Sequence, residues 1–385
     1  MKDITYLDNS ATTKPCDEAV ALMIESLKEN WGNPSSLHSL GIKAEETTFA
    51  CRSACAKTLS CREDEIYFTS GGTEANNIAI KGAVSSRAKR GNRIVTTAIE
   101  HPSVLQTIRQ FEEKGFDVVY LKPKADGKIS IDDLADAINE KTILVSIMLV
   151  NNETGAIQPV SAAADIIKKV GCPALLHCDA VQGFGKMNIK VDSFGVDLLT
   201  ASGHKIHGPK GVGALYIKKG TKLAPIIFGG GQQNGIRPGT ENVPGIAGLG
   251  VAVKECNSKM AENVPVIAEL KKRLKDGLVK NVDNIRINTP ENSAPHILNV
   301  SFVGVRSEVV LHSLEKEGIF VSSGSACSSH KSEPSYVLTS IGLDRREIDG
   351  SIRFSLSEFT TAEEIDKTIS VLSKLIPRLR KLNMK

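Results

Sequence analysis

Lys205 lies in the run Ser202-Gly-His-Lys-Ile-His-Gly-Pro-Lys-Gly-Val-Gly213, between a hydroxyl, two imidazoles and several glycines. A lysine ε-amine can form a Schiff base with an aldehyde cofactor, which is the chemistry of pyridoxal phosphate enzymes. That chemistry needs a carboxylate for the pyridinium nitrogen, and Asp179 in His177-Cys-Asp-Ala-Val-Gln182 is a candidate. It also needs phosphate ligands, and Ser202 and His204 flank the lysine. Alone, Ser-x-His-Lys would read as a solvated surface lysine. Joined to the upstream Asp-x-x-Gln, it points to a cofactor site.

Two further segments fit the same chemistry. Ser70-Gly-Gly-Thr-Glu-Ala-Asn-Asn77 follows a strand-like run and opens a helical one. Small residues at such a junction let backbone N–H groups and a hydroxyl approach a phosphate, and the helix dipole favours the anion. His101, in Ile99-Glu-His-Pro-Ser103, follows another strand-like run, where its flat ring could stack on a cofactor ring.

The elements that must position these residues alternate along the chain. Strand patterns fall at 65–70, 93–97, 118–121, 142–150, 175–178, 198–201 and 212–217. Helical periodicity separates many of them, at 75–84, 103–114, 131–138 and 162–170. Such alternation predicts an α/β fold with a largely parallel sheet. After the glycine-rich loop 229–240 and a helical stretch, the pattern changes. From about 256 onward, amphipathic helices mix with short strands at 297–302 and 351–355, which predicts a smaller α+β domain. The expected division is a large cofactor-binding domain over 15–255, with 1–14 and 256–385 forming the small one.

Composition narrows the function classes. The 385 residues suit roughly two or three domains. Hydrophobic content of 41% and charged content of 24% are those of a soluble globular chain. Lys and Arg total 48 against 44 Asp and Glu, a net charge of +4 that is too scattered to imply direct nucleic-acid binding. The N-terminus has no signal-peptide pattern, and the apolar runs 143–150 and 246–253 are too short to span a bilayer. A cytoplasmic protein without membrane association is expected. Eight cysteines (16, 51, 55, 61, 172, 178, 256 and 327) include no C-x-x-C pair, so neither a disulfide framework nor a metal site is expected. Cys51 and Cys55 would share a helical face as packing residues.

Seven ordered motifs carry a resemblance. Thr69-Ser-Gly-Gly-Thr-Glu-Ala-Asn-Asn77, Glu100-His-Pro-Ser103, Val150-Asn-Asn-Glu-Thr-Gly155 and Asp179-Ala-Val-Gln182 are followed by three more. These are Ser202-Gly-His-Lys205, Arg237-Pro-Gly-Thr-Glu-Asn242 and Ser322-Ser-Gly-Ser-Ala-Cys-Ser-Ser329. Together they resemble the cysteine desulfurases, class V aminotransferase-like pyridoxal phosphate enzymes of fold type I, over essentially the whole chain.

The resemblance implies a role for each residue. Lys205 would bind the cofactor covalently, Asp179 would keep the pyridinium nitrogen protonated, and Gln182 would contact the phenolic oxygen. Gly72, Thr73, Ser202 and His204 would seat the phosphate, joined by Thr240 from the other subunit of a homodimer. His101 would stack on the ring and take part in proton transfer. Asn152 and Arg353 would bind the substrate carboxylate, for which a guanidinium offers a planar fork. Cys327 would be the nucleophile, on a loop of small residues (about 322–334) able to carry sulfur outward.

In the implied reaction, L-cysteine displaces Lys205 and the freed amine takes the Cα proton. The Cys327 thiolate then attacks the substrate sulfur, giving a persulfide and L-alanine. A sulfur-acceptor protein would follow, either an iron–sulfur scaffold or a tRNA-thiolation enzyme. Selenocysteine lyase, class V aminotransferase and a non-catalytic sulfur-relay subunit are the alternatives. One departure stands out: the family's Ser-Leu-Gly-Arg-Phe-Thr is here Ser355-Leu-Ser-Glu-Phe-Thr360, which puts Ser357 and Glu358 beside the substrate arginine's strand.

Overall fold

A computed structural model describes residues 4–323 and 334–383. Cys327 and most of its serine-rich segment lie outside the described residues. The strands are β1 (Thr5–Tyr6), β2 (Ile66–Thr69), β3 (Arg93–Thr97), β4 (Asp117–Leu121), β5 (Thr142–Met148) and β6 (Leu175–Asp179), then β7 (Leu198–Ser202), β8 (Gly213–Ile217), β9 (Ile285–Ile287), β10 (Ile297–Phe302), β11 (Ile319–Phe320) and β12 (Ser351–Ser355). The longer helices are α1 (Asp17–Lys28), α2 (Ser39–Leu59), α3 (Gly72–Arg87), α4 (Pro102–Glu112), α5 (Val160–Val170), α6 (Val243–Asn281), α7 (Ser307–Lys316) and α8 (Ala362–Asn383).

Seven strands form one sheet in the order β2-β8-β7-β6-β5-β3-β4. It is parallel from β7 to β4, while β8 runs antiparallel to both its neighbours. Every residue of β5, β6, β7 and β8 is buried. That explains why runs such as Ile143-Leu-Val145 are continuously apolar rather than alternating: helices cover both faces. The chain order reverses between β3 and β5, so a crevice opens at their carboxyl ends, where open α/β sheets bind ligands. The turns leaving β3 and β5 carry His101 and Asn152. Register brings Met148 level with Asp179, and Asp179 level with Thr200.

Glycine makes the neighbouring corner possible. Gly71 has φ +148°, and a Cβ on Gly213 would lie 2.8 Å from the Gly71 Cα and 2.7 Å from the Ala201 carbonyl oxygen. The turn before α3 therefore presses directly onto the start of β8, whose Gly213 pairs with Ser202 at the end of β7.

A second, antiparallel sheet has the order β12-β10-β9, and β1 pairs with β11 in parallel. Leu7, Phe302, Leu314, Phe354 and Leu372 share a core with this sheet, separate from the core of the large one. Helix α6 belongs to both. Ile246, Leu249 and Val253 pack in the first core and Leu270, Leu274 and Leu278 in the second, with Pro265 between them. Position 256, where the pattern change was expected, lies inside this continuous helix.

Candidate active site

The carboxyl ends of β5, β6 and β7 and the start of α3 enclose a cavity of about 290 Å³. Of the residues expected at a cofactor site, Gly72, Thr73, His101, Asn152, Asp179, Gln182, Ser202, His204, Lys205 and Arg353 all line it. Thr240 is exposed and does not line this cavity.

Lys205 Nζ donates to the backbone carbonyls of Ser10 and Ala11, at 2.6 and 2.8 Å. The N-terminal segment thus closes the wall behind the amine. His204, next to it, meets Thr12 Oγ1 through Nδ1 at 3.2 Å. Burial and the positive charges of Lys205, Lys210 and Lys186 push its pKa down to about 4, so the ring is neutral.

Asp179 ends β6. Its Oδ1 accepts from the Val181 N–H at 3.0 Å and its Oδ2 from Asn76 Nδ2 at 2.8 Å. Gln182, one turn further, gives Nε2 to the Ser10 carbonyl at 2.9 Å. His101 caps α4: its Nδ1 accepts from the Ser103 N–H at 3.1 Å and meets Ser103 Oγ at 2.7 Å. Burial lowers its pKa despite the nearby Asp179, while Lys205 lowers it further. With Nδ1 accepting, the neutral ring carries its proton on Nε2.

Arg353, almost wholly buried on β12, forms an ion pair from Nη2 with Asp8 Oδ1 at 2.8 Å and gives Nη1 to the Asn152 carbonyl at 3.0 Å. Burial raises the pKa of Asp8 even against the pull of that guanidinium. The described residues on either side of the Cys327 segment are fixed at this same cavity. Ser322 exchanges backbone hydrogen bonds with Arg353, Ser335 Oγ donates to Glu153 Oε2 at 2.6 Å, and Tyr336 donates its hydroxyl to the Glu100 carbonyl at 2.7 Å.

The sequence reading passed over several participants. Ser10 and Ala11 hold the lysine, Asn76 and Ser103 orient Asp179 and His101, and Tyr336 lines the cavity. Asn76 and Ser103 stand inside motifs quoted above, but the contacts of Asn76, with Ser103 and Asp179, lie across the fold. Among the described residues no group of three His, Cys, Asp or Glu could hold a metal ion, and no helix is long and apolar enough to cross a membrane.

The aminotransferase class-V family model matches residues 5–368. This chain belongs to the class-V aminotransferase family. A curated relative from Clostridium botulinum, cysteine desulfurase IscS, is 42% identical over 386 aligned positions, covering 100% of this chain and 97% of that protein. Two solved structures are also similar. A NifS-like protein superposes with a TM-score of 0.92 at 38% identity, covering 98% of this chain and 100% of that one. A structure described as SspA in complex with cysteine has a TM-score of 0.82 at 35% identity, covering 92% of this chain and 99% of that one.

Class-V aminotransferases depend on pyridoxal phosphate, and the cavity suits it. It brings an amine, a carboxylate and a helix N-terminus into one enclosure. A Cβ on Gly72 would meet Val181 Cγ2 at 2.9 Å, so the approach to the α3 N-terminus is open only to glycine. Three buried polar atoms on its lining residues, Ser10 Oγ, Asn76 Oδ1 and Arg353 Nε, have no hydrogen-bond partner among the described residues. Such atoms are costly unless a ligand or water serves them.

Proposed function

We propose that this enzyme removes sulfur from L-cysteine, releasing L-alanine and leaving a persulfide on Cys327 for transfer to an acceptor protein. The observation that carries the reading is the convergence of Lys205 Nζ, the Asp179 carboxylate and the α3 N-terminus on one cavity, beside which Ser322 pairs with Arg353 and Tyr336 donates to the Glu100 carbonyl. Relatives named cysteine desulfurase and a solved relative in complex with cysteine support the choice of substrate.

When bound, pyridoxal phosphate supplies an aldehyde carbon for amines and a ring that withdraws electrons from the substrate Cα. Lys205 would anchor it through Nζ and, with that amine free, would take the Cα proton. Asp179 would hold the ring nitrogen, Gln182 the phenolic oxygen, and the N–H groups of Gly72 and Thr73 with Ser202 and His204 would hold the phosphate. Asn152 and Arg353 hold the substrate carboxylate. Because His101 is neutral with its proton on Nε2, it enters the cavity as a hydrogen-bond donor. The Cys327 thiolate attacks the substrate sulfur: the new S–S bond forms as the Cβ–S bond breaks, the pair stays with carbon, and protonation there completes alanine. In sum, cysteine and one thiol give alanine and one persulfide.

The same reading includes a homodimer in which Thr240 reaches the partner's phosphate site. The exposed Trp31, Leu37, Ile42, Phe49 and Phe228 accord with it, since large apolar side chains of this kind are the ones an interface covers. It also divides the chain into a large domain over 15–255 and a small one from 1–14 and 256–385, which the two separate cores support. A reducing, cytoplasmic setting accords with seven free thiols among the described residues. The acceptor would serve iron–sulfur cluster assembly or tRNA thiolation.

The test is alanine release from L-cysteine by the cofactor-loaded protein. Stoichiometric alanine without a thiol reductant, turning catalytic with one, is expected. Cys327→Ser should load cofactor normally yet form no persulfide. Release by that variant at the wild-type rate would overturn the assignment.

A further inference from the structure

Behind Lys205 lies a second, smaller cavity of about 30 Å³, room for one water, lined among others by Lys205, Lys186, His207, His296, Cys256 and Glu358. Lys186 is a second half-buried lysine that the reaction above does not use. Its Nζ donates to Gln182 Oε1 at 3.3 Å, and His296 Nε2 approaches the same oxygen at 3.4 Å. Gln182 Nε2 in turn donates to the Ser10 carbonyl, the acceptor that also holds Lys205 Nζ.

An amide has one accepting end and one donating end, so its direction depends on its neighbours. His296 is an adaptable neighbour: its Nδ1 has no partner among the described residues, so either ring tautomer is open to it. An ammonium is not adaptable, because it has three donors and no acceptor. With Lys186 in place, turning Gln182 around would set N–H against N–H.

We propose that Lys186 is a positioning residue that acts with the Ser10 carbonyl to fix the Gln182 amide, Oε1 toward Lys186 and Nε2 toward Ser10. This rests on the reading that Gln182 meets the cofactor's phenolic oxygen. Burial, followed by the charge of Lys205, pushes the pKa of Lys186 down to about 7, and Arg353 adds to this while Cys256 and Glu358 oppose it. The ammonium form that enforces the direction therefore prevails below about that pH.

The test is a double-mutant cycle on the full chain loaded with pyridoxal phosphate, read as the pH midpoint of its visible absorption band. Lys186→Met keeps the bulk and removes the donor. In the wild-type background it should move the midpoint by about half to one pH unit, the size of one lost hydrogen bond. In a Gln182→Ala background the same substitution should move it no further. Equal shifts in both backgrounds would mean that Lys186 acts on Lys205 through space, and the absence of any shift would mean that it only packs; either result overturns the proposal. Melting of the apo chain checks folding, and Lys186→Leu replaces the methionine if that variant is unstable. A wild-type chain that develops no band would overturn the cofactor reading and this proposal with it, whereas a normal wild-type band with no Lys186 effect overturns this proposal alone.

Discussion

Asn76 joins Asp179 to His101 through one nitrogen: its Nδ2 lies 2.8 Å from Asp179 Oδ2 and 2.8 Å from Ser103 Oγ. Because Ser103 Oγ accepts there, its own proton is free for His101 Nδ1. One amide on α3 therefore keeps the carboxylate accepting and the imidazole protonated on its far side. Asn76→Asp replaces the shared donor by a carboxylate beside Asp179. Loss of a hydrogen bond to a charged group costs about 1.5–3 kcal/mol, so cofactor affinity should fall roughly tenfold to a hundredfold. Titration of the apo chain with pyridoxal phosphate measures this, and Asn76→Ala should lose less because it adds no like charge.

Arg353 is held from two sides, by Asp8 at Nη2 and by the Asn152 carbonyl at Nη1, so its guanidinium plane is fixed before substrate arrives. Lysine cannot satisfy both partners and still offer a fork to a carboxylate. Arg353→Lys should raise KM for L-cysteine about tenfold or more while lowering kcat less. An unchanged KM in steady-state kinetics would place the substrate carboxylate elsewhere.

Glu100 is fully buried beside His101, and burial pushes its pKa up to about 8 against the hydrogen bonds from Met148 N–H and Thr97 Oγ1, with Asp179 adding to the rise. Unfolded, this carboxyl loses its proton near 4.5; folded, it keeps it to about 8. Between those values the unfolded state binds fewer protons, so this group makes stability fall as pH rises. Glu100→Gln should remove that part of the slope, seen as a smaller loss of stability in denaturant melts across the window. Parallel curves for the two proteins would mean that Glu100 is already ionised in the fold.

Much of this architecture was legible locally. Strands β3, β10 and β12 have the limits that their β-branched, apolar runs suggest, and β8 departs by one residue. Helix α6 was harder to read. Gly245, Gly248 and Gly250 lower the helix propensity of its first turns, yet a Cβ on Gly250 would lie 2.9 Å from Cys51 Cβ. Gly248 and Gly250 are a contact face against Met23 of α1 and Cys51 of α2, a property of packing that no local pattern carries. The motif residues lining the cavity could be read because each sits at a strand end or helix start with its own signature. Asn76 and Ser10 could not, because their roles come from partners far along the chain, Asp179 for Asn76 and Lys205 for Ser10.

Glu358, the departure from the family pattern, forms its own contact. Its Oε2 lies 3.1 Å from His207 Nε2, while His207 Nδ1 meets the Lys14 carbonyl at 2.9 Å and Phe359 stands edge-on to the ring at 4.8 Å. His207 has φ +62°, a conformation that side chains other than glycine rarely adopt, two residues past Lys205. The pair thus ties the lysine turn to the N-terminal segment and to the residues after β12. Burial resists ionisation of Glu358, but the hydrogen bond and charge of His207 outweigh it and hold the carboxyl below its usual range. A depressed carboxyl contributes stability above its unfolded value near 4.5 and loses it as pH falls through the folded value. Glu358→Gln should cost about 1 kcal/mol at neutral pH and show a shallower acid loss than the wild type. Denaturant melts on either side of that value decide it: equal stability of the two proteins at neutral pH would mean that the contact with His207 contributes nothing to holding the lysine turn.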